Sequence, residues 1–205
     1  MSINLLLVLS ISIVSYISFN NSSLYNKLIF SPYIIARQKQ FTRFITSAWL
    51  HADYMHLIIN MIVLFSFGQF LESVMNSFFG NIGSLLYLIL FLGAVIIAHI
   101  PSYMKEKDSY HYGSVGASGG TSGVLFATIL LNPWQQLELF FFLPIPGIVF
   151  GILYLWYSQR MAQRAQDNIN HSAHIFGALA GMLFLILMKP SVVPYFFEQL
   201  ISNFI

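Results

Sequence analysis

Six apolar stretches alternate with polar segments along the chain. Ile3 to Phe19, Met55 to Leu71, Ile82 to Ile100, Gly113 to Asn132, Leu139 to Tyr157 and Ile169 to Met188 contain no Asp, Glu, Lys or Arg. A helix needs roughly 20 such residues to cross the bilayer core. The pattern therefore predicts six transmembrane helices joined into one domain over residues 1–205. No basic residue precedes the first stretch and no small-x-small cleavage site follows it, so it reads as a span and not as the core of a signal peptide. Residues 20–53 differ: Asn20, Asn21, Lys27, Pro32, Arg37, Lys39 and Arg43 stand among aromatics. That mixture predicts a long amphipathic loop at the membrane interface. The second span is expected to stop at Glu72, the third at Pro101, the fourth at Asn132-Pro133 and the sixth at Lys189-Pro190. Residues 190–205 hold one charge and are expected to lie on the membrane surface.

Composition narrows the function. Hydrophobic residues make up 57% and charged residues 8%, against about 25% charged in an ordinary soluble domain. A soluble globular enzyme and a disordered chain are both excluded. The net charge of +2 is too small for a surface that tracks phosphates, so nucleic acid is not an expected partner. With no cysteine there is no thiolate nucleophile, disulfide or Cys-ligated zinc. The basic residues are unevenly spread. Lys27, Arg37, Lys39, Arg43, Lys105, Lys107, Arg160 and Arg164 fall after the odd-numbered spans, and only Lys189 falls on the other side. The positive-inside rule would put the basic side in the cytoplasm.

An unsatisfied polar group in hydrocarbon costs several kcal/mol, so each polar residue in a span needs a reason. The even-numbered spans carry the unusual ones. His56 and Asn60 lie four apart, on one helix face. Span four holds Gly116-Ala117-Ser118-Gly119-Gly120-Thr121-Ser122-Gly123, and span six opens with His171-Ser172-Ala173-His174 ahead of Gly177 and Gly181. Counted back from Glu72, Asn132 and Lys189 at 1.5 Å per residue, His56, Ser118 and His174 lie at about 24, 21 and 22 Å, and Asn60 at about 18 Å. Ser122 falls one turn deeper, at about 15 Å. Glycines four apart let helix backbones approach closely. Taken alone, span four is better explained by packing.

Together these groups suggest nucleophilic chemistry. A serine hydroxyl becomes a nucleophile when a neighbouring base takes its proton, and histidine is the usual base. Ser118 and His174 could form such a pair. His56, Asn60 and the Ser118 backbone N–H could stabilise the resulting oxyanion. No carboxylate lies near that level, so the arrangement would be a dyad. A metal-binding or transport membrane protein, with a metal site built from His51, His56, His171 and His174, is the competing reading. His171 could be a rim residue or a second base. Arg43 and Glu72 read as structural, paired with each other or anchored at the membrane edge. The Phe140-Phe141-Phe142 run reads as lipid-facing.

From Arg43 to Gly181 the sequence resembles the rhomboid intramembrane serine proteases. Arg43-Phe44-Ile45-Thr46 through His51, His56 and Asn60 is similar to the family's R-x-x-T-x-x-x-x-H-x-x-x-x-H-x-x-x-N. Gly116-Ala117-Ser118-Gly119 matches G-x-S-G, and Ala173-His174-Ile175-Phe176-Gly177 with Gly181 matches A-H-x-x-G-x-x-x-G. The resemblance implies a six-helix bundle that hydrolyses peptide bonds in or beside transmembrane segments of membrane-protein substrates. Ser118 would be the nucleophile, His174 the base, and His56 and Asn60 the oxyanion donors, with no metal or cofactor. It also implies an inner or plasma membrane location, an active site on the extracytoplasmic side (the reverse of the charge rule) and, by analogy, a lateral gate at span five. A rhomboid-like protein that binds transmembrane segments without cutting them is the alternative. Two positions depart from the family pattern. Thr42 stands where a Trp often precedes the Arg, and Ser122 stands where an aromatic usually follows the nucleophile by four. Gly120-Thr121-Ser122-Gly123 also reads G-x-S-G, which makes Ser122 the alternative nucleophile; depth favours Ser118. Ser122 is then expected to face His174.

Overall fold

The structure is a computed structural model that describes residues 2–139, 143–164 and 170–202. Its helices are α1 (Ile3–Ser18), α2 (Ser22–Leu28), α3 (Pro32–Gln38), α4 (Arg43–Thr46), α5 (Tyr54–Phe79), α6 (Gly83–Glu106), α7 (Ser118–Leu131), α8 (Gly147–Arg164), α9 (His171–Met188) and α10 (Val192–Ser202). A two-stranded antiparallel hairpin, β1 (Gln136–Leu139) and β2 (Leu143–Pro146), precedes α8. The protein is mostly helical, and α1, α5, α6, α7, α8 and α9 follow the order of the six expected spans. Among the described residues, 54–106 and His171–Met188 contain helices long and apolar enough to cross a membrane, while Ile3–Ser18 and Ser118–Leu131 are shorter apolar helices.

Helix α7 is the centre of the bundle. From Gly119 to Leu131 every residue is buried, packed against α5, α6 and α9. Small residues make this approach possible. A Cβ added to Gly177 or Gly181 of α9 would run into the backbone of Gly119 or Gly123 of α7. On the other face, a Cβ on Gly120 would meet the Phe91 ring at 2.5 Å and Val95 at 2.8 Å. Facing glycines thus set the α7–α9 spacing by backbone contact. Helix α8 lies outside, against α9, with Val149, Ile152, Leu153 and Trp156 exposed.

Several expected boundaries move. Glu72 does not end the second span: α5 runs on to Phe79, and Glu72 is only 2% exposed. Its carboxylate accepts the backbone N–H groups of Ile3 (2.8 Å) and Asn4 (3.0 Å) and the Ser84 hydroxyl (2.7 Å). A carboxylate there satisfies orphan donors of the α1 N-terminus and complements its dipole, so the charge can sit inside a helix bundle. Pro101 lies within α6, which continues to Glu106; near a helix end a proline removes one hydrogen bond without ending the helix. Residues 113–117 precede α7, so its helix starts at Ser118. Leu139, expected to open the fifth span, lies in the hairpin, paired with Leu143.

The 20–53 loop is locally helical and pinned to the bundle. Arg43 is 6% exposed and donates to the carbonyls of Asn26 (2.9 Å) and Ile29 (2.8 Å) and to Gln40 Oε1 (2.7 Å). It therefore holds loop backbone together and is not paired with Glu72. Phe30 and Ser114 exchange backbone hydrogen bonds of 3.0 and 3.1 Å. Residues 190–205 include α10, which packs on α7 and α9 through buried Val192; the Trp134 indole donates to Gln199 O at 3.0 Å. The Phe140-Phe141-Phe142 run lies outside the described residues.

Candidate active site

Three helix starts meet at one end of the bundle. His56 is the third residue of α5, Ser118 the first of α7 and His174 the fourth of α9. Their common level is set by these N-terminal ends. The far ends do not supply it, because α5 overruns Glu72. Local capping fixes two of the starts. The Asp53 side chain accepts His56 N–H at 2.8 Å, and the Asn170 side chain accepts Ala173 N–H at 3.2 Å while donating to Ser102 Oγ at 2.8 Å. Side-chain caps of this kind satisfy the orphan donors of a first turn.

The approach to Ser118 is a backbone arrangement that requires glycine. Gly116 has φ +123°, a region that L side chains rarely adopt. A Cβ placed on it would lie 2.8 Å from His56 Cε1, 3.0 Å from His56 Nε2 and 3.7 Å from Ser118 Oγ. The His56 imidazole and the Ser118 hydroxyl therefore face one point, and the space around it exists because residue 116 has no side chain. Gly116 N–H donates to Ser47 O at 3.1 Å. Ala117 N–H donates to His51 Nε2 at 3.4 Å. The tautomer of His51 follows from its partners. The Ser15 hydroxyl donates to Trp49 O at 2.8 Å, so it accepts from His51 Nδ1 at 2.8 Å, leaving Nε2 as the acceptor for Ala117. Burial pushes this imidazole down to about 3, which keeps it neutral. The first backbone hydrogen bond of α7 runs from Thr121 N to Ala117 O at 2.9 Å. The N–H groups of Ser118, Gly119 and Gly120 precede it, where a helix start favours negative charge.

Asn60 lies directly beneath. Its amide donates to His56 O at 2.9 Å, and its carbonyl accepts the Thr121 hydroxyl at 2.9 Å. It is 5% exposed and links α5 to α7. On the α9 side, Ala173 O lies 3.8 Å from where a Gly119 Cβ would be, which puts the residue before His174 against the residue after Ser118.

Ser122 and His174 meet a residue that the sequence reading passed over. Ser122 is 3% exposed, and its Oγ is 2.6 Å from the Tyr154 hydroxyl of α8. The Tyr154 ring stacks on His174, with centroids 5.9 Å apart and planes 20° apart. His171 is 4% exposed and meets both His174 (5.6 Å) and Tyr157 (5.7 Å) edge-on. It is a buried neighbour of His174. His51 and His56 form a second edge-on pair at 5.0 Å. Among the described residues, no group of three or more His, Asp or Glu converges as a metal would require. A cavity of about 520 Å³ opens beside this end, lined by His111, Tyr112, Asn170, His171, Ser172 and Lys105 among others.

The model of the rhomboid domain matches residues 38–191. The chain is 32% identical over 145 residues to RHOMBOID-like protein 12, mitochondrial, of Arabidopsis thaliana, covering 65% of this chain and 42% of that protein. It is 30% identical over 150 residues to a Bacillus subtilis protein named "Putative rhomboid protease YdcA", covering 72% and 68%. It is 31% identical over 146 residues to Rhomboid protein 1, mitochondrial, of Saccharomyces cerevisiae, covering 68% and 40%. The chain thus spans less than half the length of the plant and yeast relatives and about two thirds of the bacterial one.

Proposed function

The chain belongs to the rhomboid family of integral membrane proteins, and on that premise we propose that it is an intramembrane serine endopeptidase acting through Ser118 and His174. The Ser118 hydroxyl adds to the scissile carbonyl of a transmembrane substrate while the His174 imidazole takes its proton. The oxyanion is stabilised by the N–H groups at the start of α7, by His56 and by the second amide N–H of Asn60. The imidazolium then protonates the leaving nitrogen. Water reaching the acyl ester from the cavity beside His171 completes hydrolysis, and the proton returns to Ser118 Oγ. General-base assistance and an oxyanion donor each contribute about 10²-fold or more. No metal or cofactor enters these steps.

The observation that carries this reading is the convergence of His56 and Ser118 on Gly116. The glycine seam bringing α9 against the same turn of α7 supports it. Ser118 is favoured over Ser122 because it is half-buried at a helix start, whereas Ser122 is buried and bonded to Tyr154. Six membrane crossings in a single domain, with α8 as the mobile wall, complete the proposal. For orientation we keep the active site extracytoplasmic. The charge rule is weakened here because Arg43 is buried in loop packing, away from lipid headgroups.

Fluorophosphonate labelling of the purified protein, with the modified peptide mapped, tests the nucleophile. Label on Ser118 that disappears in Ser118→Ala supports it, and label on Ser122 overturns the assignment. A folded protein with no serine labelled favours the non-cleaving relative that binds transmembrane segments. A reporter fused to the C-terminus tests orientation.

A further inference from the structure

We infer that Tyr154 of α8 is a positioning residue for His174, and that it makes the proton-transfer geometry depend on where α8 sits. An imidazole turns about a broad, two-fold terminal torsion, so something outside the ring must fix its plane. In serine hydrolases built as triads a carboxylate does this. No acidic residue occurs in α7, α8 or α9. The stacked Tyr154 ring supplies a flat wall on one face of His174, and His171 abuts it edge-on.

The wall is itself referenced to the nucleophile's helix. The Tyr154 hydroxyl bonds to Ser122 Oγ at 2.6 Å, and Ser122 lies four residues after Ser118, one turn along α7. One side chain from α8 thus touches the α9 histidine with its ring and the α7 serine helix with its hydroxyl. Phe150 (5.8 Å) and Phe126 (5.7 Å) brace the ring from α8 and α7. The position four after Ser118, where an aromatic would come from α7 itself, is a serine here, and the aromatic arrives from the outer helix. Outward movement of α8 would withdraw the wall from the His174 ring. A gate helix that carries the wall couples opening for substrate to loss of the reactive geometry and closure to its recovery.

The inference rests on the proposed Ser118–His174 chemistry, and one assay separates the two. A fluorophosphonate forms a Ser118 Oγ–P bond and releases fluoride, with the hydroxyl proton taken by the imidazole and passed to water. The full chain in proteoliposomes is titrated with fluorophosphonate–rhodamine to obtain the maximal labelling rate and the half-saturating concentration. Tyr154→Ala should lower the maximal rate on the order of 10²-fold, the scale of an ångström-level misplacement, with half-saturation unchanged. Tyr154→Phe keeps the ring, and Ser122→Ala removes only the anchor. Each should lose no more than about 5-fold, one hydrogen bond's worth. Tyr154→Ala combined with Ser122→Phe moves the aromatic back to α7 and should restore much of the rate. Tyr154→Leu repeats the measurement without a planar face if the alanine variant does not fold. Tyr154→Ala and Tyr154→Leu labelling at the wild-type rate, with Ser118→Ala unlabelled, would overturn the inference alone. A loss in Tyr154→Phe equal to that in Tyr154→Ala would also overturn it, because the ring would not be the operative part. Absence of labelling in the folded wild-type chain would overturn the underlying reading.

Discussion

Two polar centres lie inside this apolar bundle, one at each end, and they are built differently. At the far end, Asn4, Tyr87 and Glu72 are at most 2% exposed and close on one another. Tyr87 donates to Asn4 Oδ1 at 2.7 Å, Asn4 Nδ2 donates to Phe65 O at 3.3 Å, and Glu72 accepts the first N–H groups of α1. Gly68 leaves room for this contact, since a Cβ there would strike Asn4 and Tyr87. At the near end His56, Ser118 and His174 are half-buried, and His56 and Ser118 face a backbone gap at Gly116. The far centre uses its donors and acceptors to join α1, α5 and α6. The near centre turns the His56 imidazole and the Ser118 hydroxyl towards one point beside Gly116.

The comparison breaks most sharply at Ser118. Ser118→Ala should remove cleavage of a transmembrane substrate by about 10⁴-fold or more, the scale of losing a nucleophile with its base. Unfolding in detergent should stay within about 0.5 kcal/mol of wild type. A Ser118→Ala protein that still cleaves would remove the near centre from chemistry altogether. His56→Ala comes next. One oxyanion donor is worth about 10²–10³-fold, and the loss should fall on kcat with KM little changed. A loss confined to KM would make His56 a substrate contact instead.

Tyr87→Phe asks the opposite question of the far end. Deleting the hydroxyl leaves Asn4 Oδ1 buried without its donor, a penalty of about 1–3 kcal/mol in a protein interior. Interhelical hydrogen bonds in membranes average about 0.6 and reach about 1.7 kcal/mol, so a loss of about 1–2 kcal/mol is expected. Cleavage per folded molecule should not change. A fall in cleavage matching the near-end variants would mean that the two centres are coupled along α5.

The near centre was the legible part of the sequence. His56, Asn60, Ser118 and His174 announce themselves because polar residues in uncharged stretches are expensive, and their spacing places them on particular helix faces. What the sequence hid was how the structure reduces that expense. Glu72 reads as a span end until the α1 N-terminus is seen docking on it, and that partner lies 69 residues away. Leu139 reads as the start of a span by hydropathy, yet the Gln136-Leu137-Glu138-Leu139 alternation and the prolines Pro144 and Pro146 suit paired strands better than a helix start. Tyr154 was missed because tyrosine is counted among the hydrophobic residues of an uncharged stretch. Its hydroxyl was a polar group in a span that needed a reason like any other. The glycine seam was legible as spacing; that it runs between α7 and α9 required coordinates.

Outside both centres, the Arg37–Asp108 pair joins α3 to the segment after α6, N to O at 2.9 Å, with side chains 55% and 69% exposed. Water screens such a pair and two mobile side chains must be held to form it, so its worth is about 0.2–1 kcal/mol. In roughly 1 M salt, where the Debye length is about 3 Å, even that should fade. Arg37→Ala should therefore lower the unfolding midpoint slightly at low salt, not at all at high salt, and leave cleavage unchanged. The 20–53 loop has stronger ties, in the buried Arg43 contacts and the Phe30–Ser114 backbone exchange, so losing one exposed pair should not release it from Gly116. If Arg37→Ala instead destabilised the chain as much as Tyr87→Phe, or slowed cleavage, the loop would be held by its charges, and the arrangement around Ser118 would depend on ionic strength in a way that buried packing does not allow.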